Sequence, residues 1–124
     1  KVSSSYFDLN MHTKEQVFHV LILGLVLGLR NDYIIKSNQE SGYGRFDVAL
    51  IPKNKNKTGI IIELKVTDKE EELERMAREA LKQIEDKQYT VIFNEHTVKD
   101  ILLIGIAFCG KKIKLVSPSK DEHE

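Results

Sequence analysis

Apolar and polar positions alternate along this chain with two distinct periods. From Val17 to Leu29 apolar residues fall on nearly every side of a helix, with His19 the one interruption. Such a segment is expected to be buried all round. Thr13 and Gln16 stand at capping-box spacing, so the helix is predicted to run from Thr13 to about Arg30. Gly24 and Gly28 lie four apart on it. Glycine costs up to ~1 kcal/mol inside a helix, so the pair is expected to serve close packing against a sheet.

Asn31 and Asp32 break this helix, and the period then changes to two. Tyr33 to Gln39 is predicted as a strand, Ser41-Gly42-Tyr43-Gly44 as a turn, and Arg45 to Ile51 as the returning strand of a hairpin ended by Pro52. Lys53 to Lys57 is a polar turn. Gly59 to Val66 is a third strand whose Ile60-Ile61-Ile62 is apolar on both faces, the mark of a central, doubly covered strand. Thr67 or Asp68 is expected to cap a long helix with Glu70, Glu71 and Glu72 in its first turn. Leu73, Met76, Ala77, Ala80, Leu81 and Ile84 form its apolar stripe, and it is expected to end between Asp86 and Tyr89. Val91 to Lys99 is left as either helix or loop. Ile101 to Cys109 is a further apolar strand, Gly110-Lys111 a turn, and Lys112 to Val116 a short edge strand. A helix joining the third and fourth strands makes a crossover, so these two should be parallel.

Within that pattern three charged residues stand out. Glu63 and Lys65 share one face of the third strand with Ile61, because alternate residues of a strand point the same way. On the neighbouring strand Asp47 shares a face with Ala49 and Ile51. Hairpin pairing is expected to bring Asp47 beside Glu63, with Lys65 close by. Charges inside an apolar strand are costly to desolvate. Two facing carboxylates next to one amine therefore make a poor structural cluster, yet they suit Mg²⁺, which takes one or two carboxylates and keeps several waters.

Asp47 followed by Glu63-Leu64-Lys65 resembles the PD-(D/E)XK nuclease superfamily, as does the order helix, three strands, helix, strand. More narrowly, Glu40 to Asp47, Ile60 to Lys65, Ala80 to Ile84 and Gly105 to Lys112 are similar to the DUF1703 group, in which the nuclease-like domain commonly follows an AAA-ATPase-like domain. The resemblance covers residues 13–116, with residues 1–12 a leading segment and 117–124 a flexible tail. It implies an α/β fold, a restriction-endonuclease-like mixed sheet flanked by helices in the order α-β-β-β-α-β-β. It also implies Mg²⁺-dependent hydrolysis of nucleic-acid phosphodiesters, DNA ahead of RNA, with Mn²⁺ as a substitute ion. Asp47 and Glu63 would bind the metal, Glu15 on the first helix would complete the set, Lys65 would be the catalytic lysine, and Gln83 would lie near the phosphate. The proline of the motif's name is absent, since Phe46 precedes Asp47. The alternative is a catalytically silent module of the same fold, serving binding or regulation within a larger ATPase protein. A homodimer stays open.

Composition narrows the partners. The 124 residues hold 19 Lys+Arg and 19 Asp+Glu, for no net charge. A small autonomous DNA-binding module usually carries a basic excess. Any nucleic-acid contact here must therefore use local patches, a metal, or another domain. The basic clusters are Lys53, Lys55 and Lys57, and Lys111, Lys112 and Lys114; either could rest on a phosphate backbone or simply be solvated. Glu40, Tyr43 and Arg45 lie around the glycine turn and could serve the site or only the turn. His19 lies four residues after Glu15 and is expected to be a satisfied core histidine. Cys109 alone excludes a disulfide framework and is expected to be a buried thiol in a reducing compartment. The apolar run from Val17 to Leu29 is too short to span a bilayer and is internal, so the expected location is cytoplasmic, away from membranes. The chain opens on Lys1 and is expected to be a piece of a longer protein.

Overall fold

The computed structural model describes residues 20, 22–24, 26–41, 44–87, 93 and 98–118. Its core is one five-stranded sheet in the order β1-β2-β3-β4-β5, with β1 at Tyr33–Ser41, β2 at Gly44–Pro52, β3 at Gly59–Val66, β4 at Ile101–Cys109 and β5 at Lys112–Val116. β1 and β2 form an antiparallel hairpin that carries Tyr33 opposite Pro52 and Ser41 opposite Gly44. β3 and β4 are parallel over their whole length, from Gly59 opposite Ile101 to Val66 opposite Phe108. Between them runs α1, Leu73–Asp86. β5 folds back antiparallel at the edge, after a turn in which Gly110 takes a positive φ of 60°. This is the mixed α/β architecture expected of the apolar pattern.

Period-2 alternation divides the sheet's side chains between two cores. On one face Ala49, Ile51, Ile61, Leu103 and Ala107 pack under Ala77, Leu81 and Ile84 of α1, with Phe93 and Val98. On the other, Val48, Leu50, Ile62, Leu64, Ile106 and Phe108 pack with Ile22 and Val26 of the leading helix. Five of the six positions of the expected α1 stripe, Leu73, Met76, Ala77, Leu81 and Ile84, belong to the first of these cores or pack against it, and the sixth, Ala80, is fully buried. The solvent side of α1 carries ion pairs one turn apart, Arg78 with Glu74 and Lys82 with Asp86. Exposed pairs of this kind add little stability.

Three expectations need correction. The leading helix is not buried all round: Val20, Leu27 and Leu29 are exposed while Ile22 and Val26 pack, so it is amphipathic where described. Gly24 and Gly28 do not serve close packing, since a Cβ at either would meet nothing within 4 Å among the described residues. Spacing puts two glycines on one side of a helix but does not say which side meets the sheet. Neither Thr67 nor Asp68 caps α1, whose N-cap position is Glu72. The Thr67 hydroxyl accepts the Lys69 N–H at 3.1 Å and donates to Glu72 Oε1 at 3.3 Å, shaping a 3-10 turn at Glu70–Glu72 that precedes the helix. In addition, β1 runs two residues beyond the predicted end at Gln39, because the hairpin ladder continues to Ser41. Cys109 is half-buried rather than buried. No helix among the described residues is long and apolar enough to cross a membrane.

Gly105, on β4, governs the close packing of the α1 backbone on the sheet. A Cβ there would lie 2.2 Å from the Ala77 carbonyl oxygen and 2.7 Å from the Leu81 nitrogen, both helix backbone. We expect Gly105→Ala to lower stability by about 1–3 kcal/mol, because α1 must lift for a single methyl. Leu81→Ala and Ile62→Ala, one from each core, should each lower it by about 2–5 kcal/mol. Urea unfolding followed by circular dichroism checks all three, and a cost below about 0.5 kcal/mol at Ile62 or Leu81 would contradict the core assignment.

Candidate active site

The β2–β3 ladder pairs Leu50 with Ile60, Ala49 with Ile61 and Val48 with Ile62, then stops. One step further in the same register, Asp47 would stand opposite Glu63. The strands part at that step, and the Asp47 side chain takes over: its Oδ2 accepts the Leu64 N–H at 2.7 Å. A carboxylate thus stands where the ladder leaves off, held against a neighbouring backbone. Glu63 and Lys65 follow Ile61 on the face that α1 covers. Their parallel neighbours in β4 are Gly105 and Ala107.

Glu63 is 8% exposed, a buried acid in an otherwise apolar strand. Burial, aided by the nearby Asp47 charge, pushes its carboxyl up from 4.5 to about 7, while Lys87 and Lys65 act in the opposite direction. Lys87 reaches it directly, with Nζ 3.5 Å from both Glu63 oxygens. This lysine follows the last residue of α1, and its backbone N–H is bonded to the Ile84 carbonyl. The cluster therefore holds two carboxylates and two amines at the place where β2 and β3 separate, beneath the end of α1.

A family model of the PD-(D/E)XK nuclease superfamily matches residues 13–117. The chain belongs to that superfamily. No curated protein and no solved structure matched it. Asp47, Glu63 and Lys65, the three charged residues set apart by strand alternation, lie within the matched residues.

The other residues singled out in the sequence are placed less fully. Glu15, His19 and Tyr43 lie outside the described residues, as do the side chains of Glu40 and Arg45, whose backbones pair across the β1–β2 hairpin. Gln83 is half-buried on α1, one turn before Lys87. Among the described residues no group of three or more His, Cys, Asp or Glu side chains gathers. Lys53, Lys55, Lys57, Lys111, Lys112 and Lys114 are exposed, and Lys112 is paired with Glu70. Sequence reasoning missed Lys87. Its one local signal was its place four residues after Gln83, at the end of the apolar stripe.

The buried acid gives the metal-free protein a pH signature. A carboxyl whose pKa is higher in the folded than in the unfolded chain binds its proton more tightly when folded. Its contribution is complete below about pH 4.5 and is lost as pH rises through about 7. In EDTA, Glu63 should therefore remove about 1–3 kcal/mol of stability between these limits, and Glu63→Gln should flatten that part of the profile. Urea unfolding of both proteins at half-unit pH steps checks this. Stability that rises over the same window in the wild type and is unchanged in the variant would contradict it.

Proposed function

We propose that this chain is a divalent-metal-dependent nuclease that hydrolyses phosphodiester bonds, with DNA as the leading substrate, Mg²⁺ as the working ion and Mn²⁺ as its substitute. The observation that carries the reading is the Asp47–Glu63 juxtaposition at the parting of β2 and β3, with Glu63 buried and its carboxyl raised to about 7. Natural sheets avoid such repulsion unless something offsets it. The donor set suits Mg²⁺ or Mn²⁺, hard cations that accept one or two carboxylates and keep water on their remaining positions. When bound there, such an ion polarises a phosphoryl oxygen and makes water a stronger nucleophile at neutral pH.

This chain's own residues then have separate tasks. Asp47 and Glu63 are the proposed ligands. The Leu64 N–H limits rotation of the Asp47 carboxylate, and burial between the sheet and α1 restrains Glu63. Lys65 has three donors and no acceptor, so it cannot ligate a cation. It is suited to meeting the charge that grows on the phosphoryl oxygens. Gln83 on α1 is proposed to face the phosphate, and Glu15 of the leading helix to complete the metal set.

A second reading is favoured by the absence of net charge: a silent module of the same fold that acts within a larger protein bearing an AAA-ATPase-like domain. Incubation with plasmid, single-stranded DNA and RNA in Mg²⁺, Mn²⁺ and EDTA separates the two. The nuclease reading expects cleavage of at least one substrate with either ion and none in EDTA. Lys65→Ala should lose roughly a hundredfold or more in rate while Mn²⁺ binding persists. Asp47→Asn should lose both cleavage and Mn²⁺ binding. Intact substrate under every condition favours the module.

A further inference from the structure

The proposed metal site has an occupant supplied by the chain itself. Lys87 Nζ lies 3.5 Å from Glu63 Oε1 and 3.5 Å from Oε2, an even straddle of the carboxylate. An ammonium on this bisector faces the same lone pairs that a cation chelated by Glu63 would use. Its backbone is secured by the N–H bond to the Ile84 carbonyl at 3.1 Å. Ile84, in the last turn of α1, is itself fully buried. The Lys87 side chain retains 19% exposure against 11% for that of Glu63.

We propose that Lys87 is a displaceable counter-ion of the active site: it holds Glu63 in the metal-free protein and must leave that carboxylate for a divalent cation to bind. The inference rests on the metal-dependent reading above. A lysine suits this exchange better than an arginine. Its charge is a compact point on a flexible four-carbon stem, so it can withdraw by side-chain rotation while α1 stays seated. Among the described residues, Asp47, Glu63, Lys65 and Lys87 together sum to zero formal charge. A dication added beside an unmoved Lys87 would face its repulsion at close range in a poorly solvated place. Lys87 therefore lowers the affinity of the site for metal, and the withdrawn ammonium becomes available to an anionic substrate.

The test is Mn²⁺ binding by the full chain, measured by electron paramagnetic resonance and by thermal melting in Mn²⁺ and in EDTA. Lys87→Met should bind Mn²⁺ roughly tenfold more tightly than wild type and show a larger Mn²⁺-induced rise in Tm. Lys87→Arg, which keeps the charge, should stay at or below wild-type affinity. If Lys87→Met folds only when Mn²⁺ is present, that also supports displacement, because the ion then replaces the lost charge. Equal or weaker Mn²⁺ binding by Lys87→Met, or failure to fold with and without the ion, overturns the inference and makes Lys87 a structural anchor. If the wild type binds no Mn²⁺ at all, the metal-dependent reading falls with it.

Discussion

The backbone of α1 rests on Gly105. With the Ala77 carbonyl 2.2 Å from where a Cβ would stand, this position accepts no side chain without moving the helix. Gly105 is also the β4 neighbour of Glu63. The height of α1 above the sheet is therefore set beside the acid whose environment matters most. A higher helix would let water reach Glu63 and carry Lys87 away from it. The crossover from β3 through α1 to β4 thus both closes the core and encloses the site.

The site departs from the rest of the fold in one respect. Elsewhere in β3 and β4, alternation sends apolar residues to both faces of the sheet, with Lys65 the one further charge. At Asp47 and Glu63 the face beneath α1 turns acidic while the opposite face stays apolar with Val48, Ile62 and Leu64. The β2–β3 ladder ends at the same step. Parted strands leave backbone donors open, and Asp47 satisfies the one on Leu64. Local loss of pairing and local concentration of charge have one origin, since two carboxylates side by side do not favour a tight sheet. Membership of the PD-(D/E)XK superfamily gives this arrangement a chemical context.

Much of this was legible in residue order. Strand period alone puts Asp47 with Ala49 and Ile51, and Glu63 with Ile61 and Lys65. The hairpin signal at Ser41 to Gly44 and the helix between β3 and β4 then determine which strands are neighbours and in which direction they run. These are short-range properties, set by backbone geometry and by the need to hide one apolar face. The errors fall where a second surface decides the outcome. The leading helix has apolar residues all round, but only Ile22 and Val26 pack where it is described. Gly24 and Gly28 look like packing glycines and are not, whereas Gly105, inside an apolar strand, is one.

The sequence by itself determined the α/β class, the strand neighbours and the common face of Asp47, Glu63 and Lys65, because all follow from periods of two and 3.6 residues and from chain connectivity. Only the tertiary structure decided that Lys87 reaches Glu63. These residues are 24 positions apart, and their contact depends on how closely α1 approaches the sheet and where along β3 it ends. No local period encodes either quantity. Both follow from packing a helix backbone onto a glycine, and the charge balance of the site follows from them.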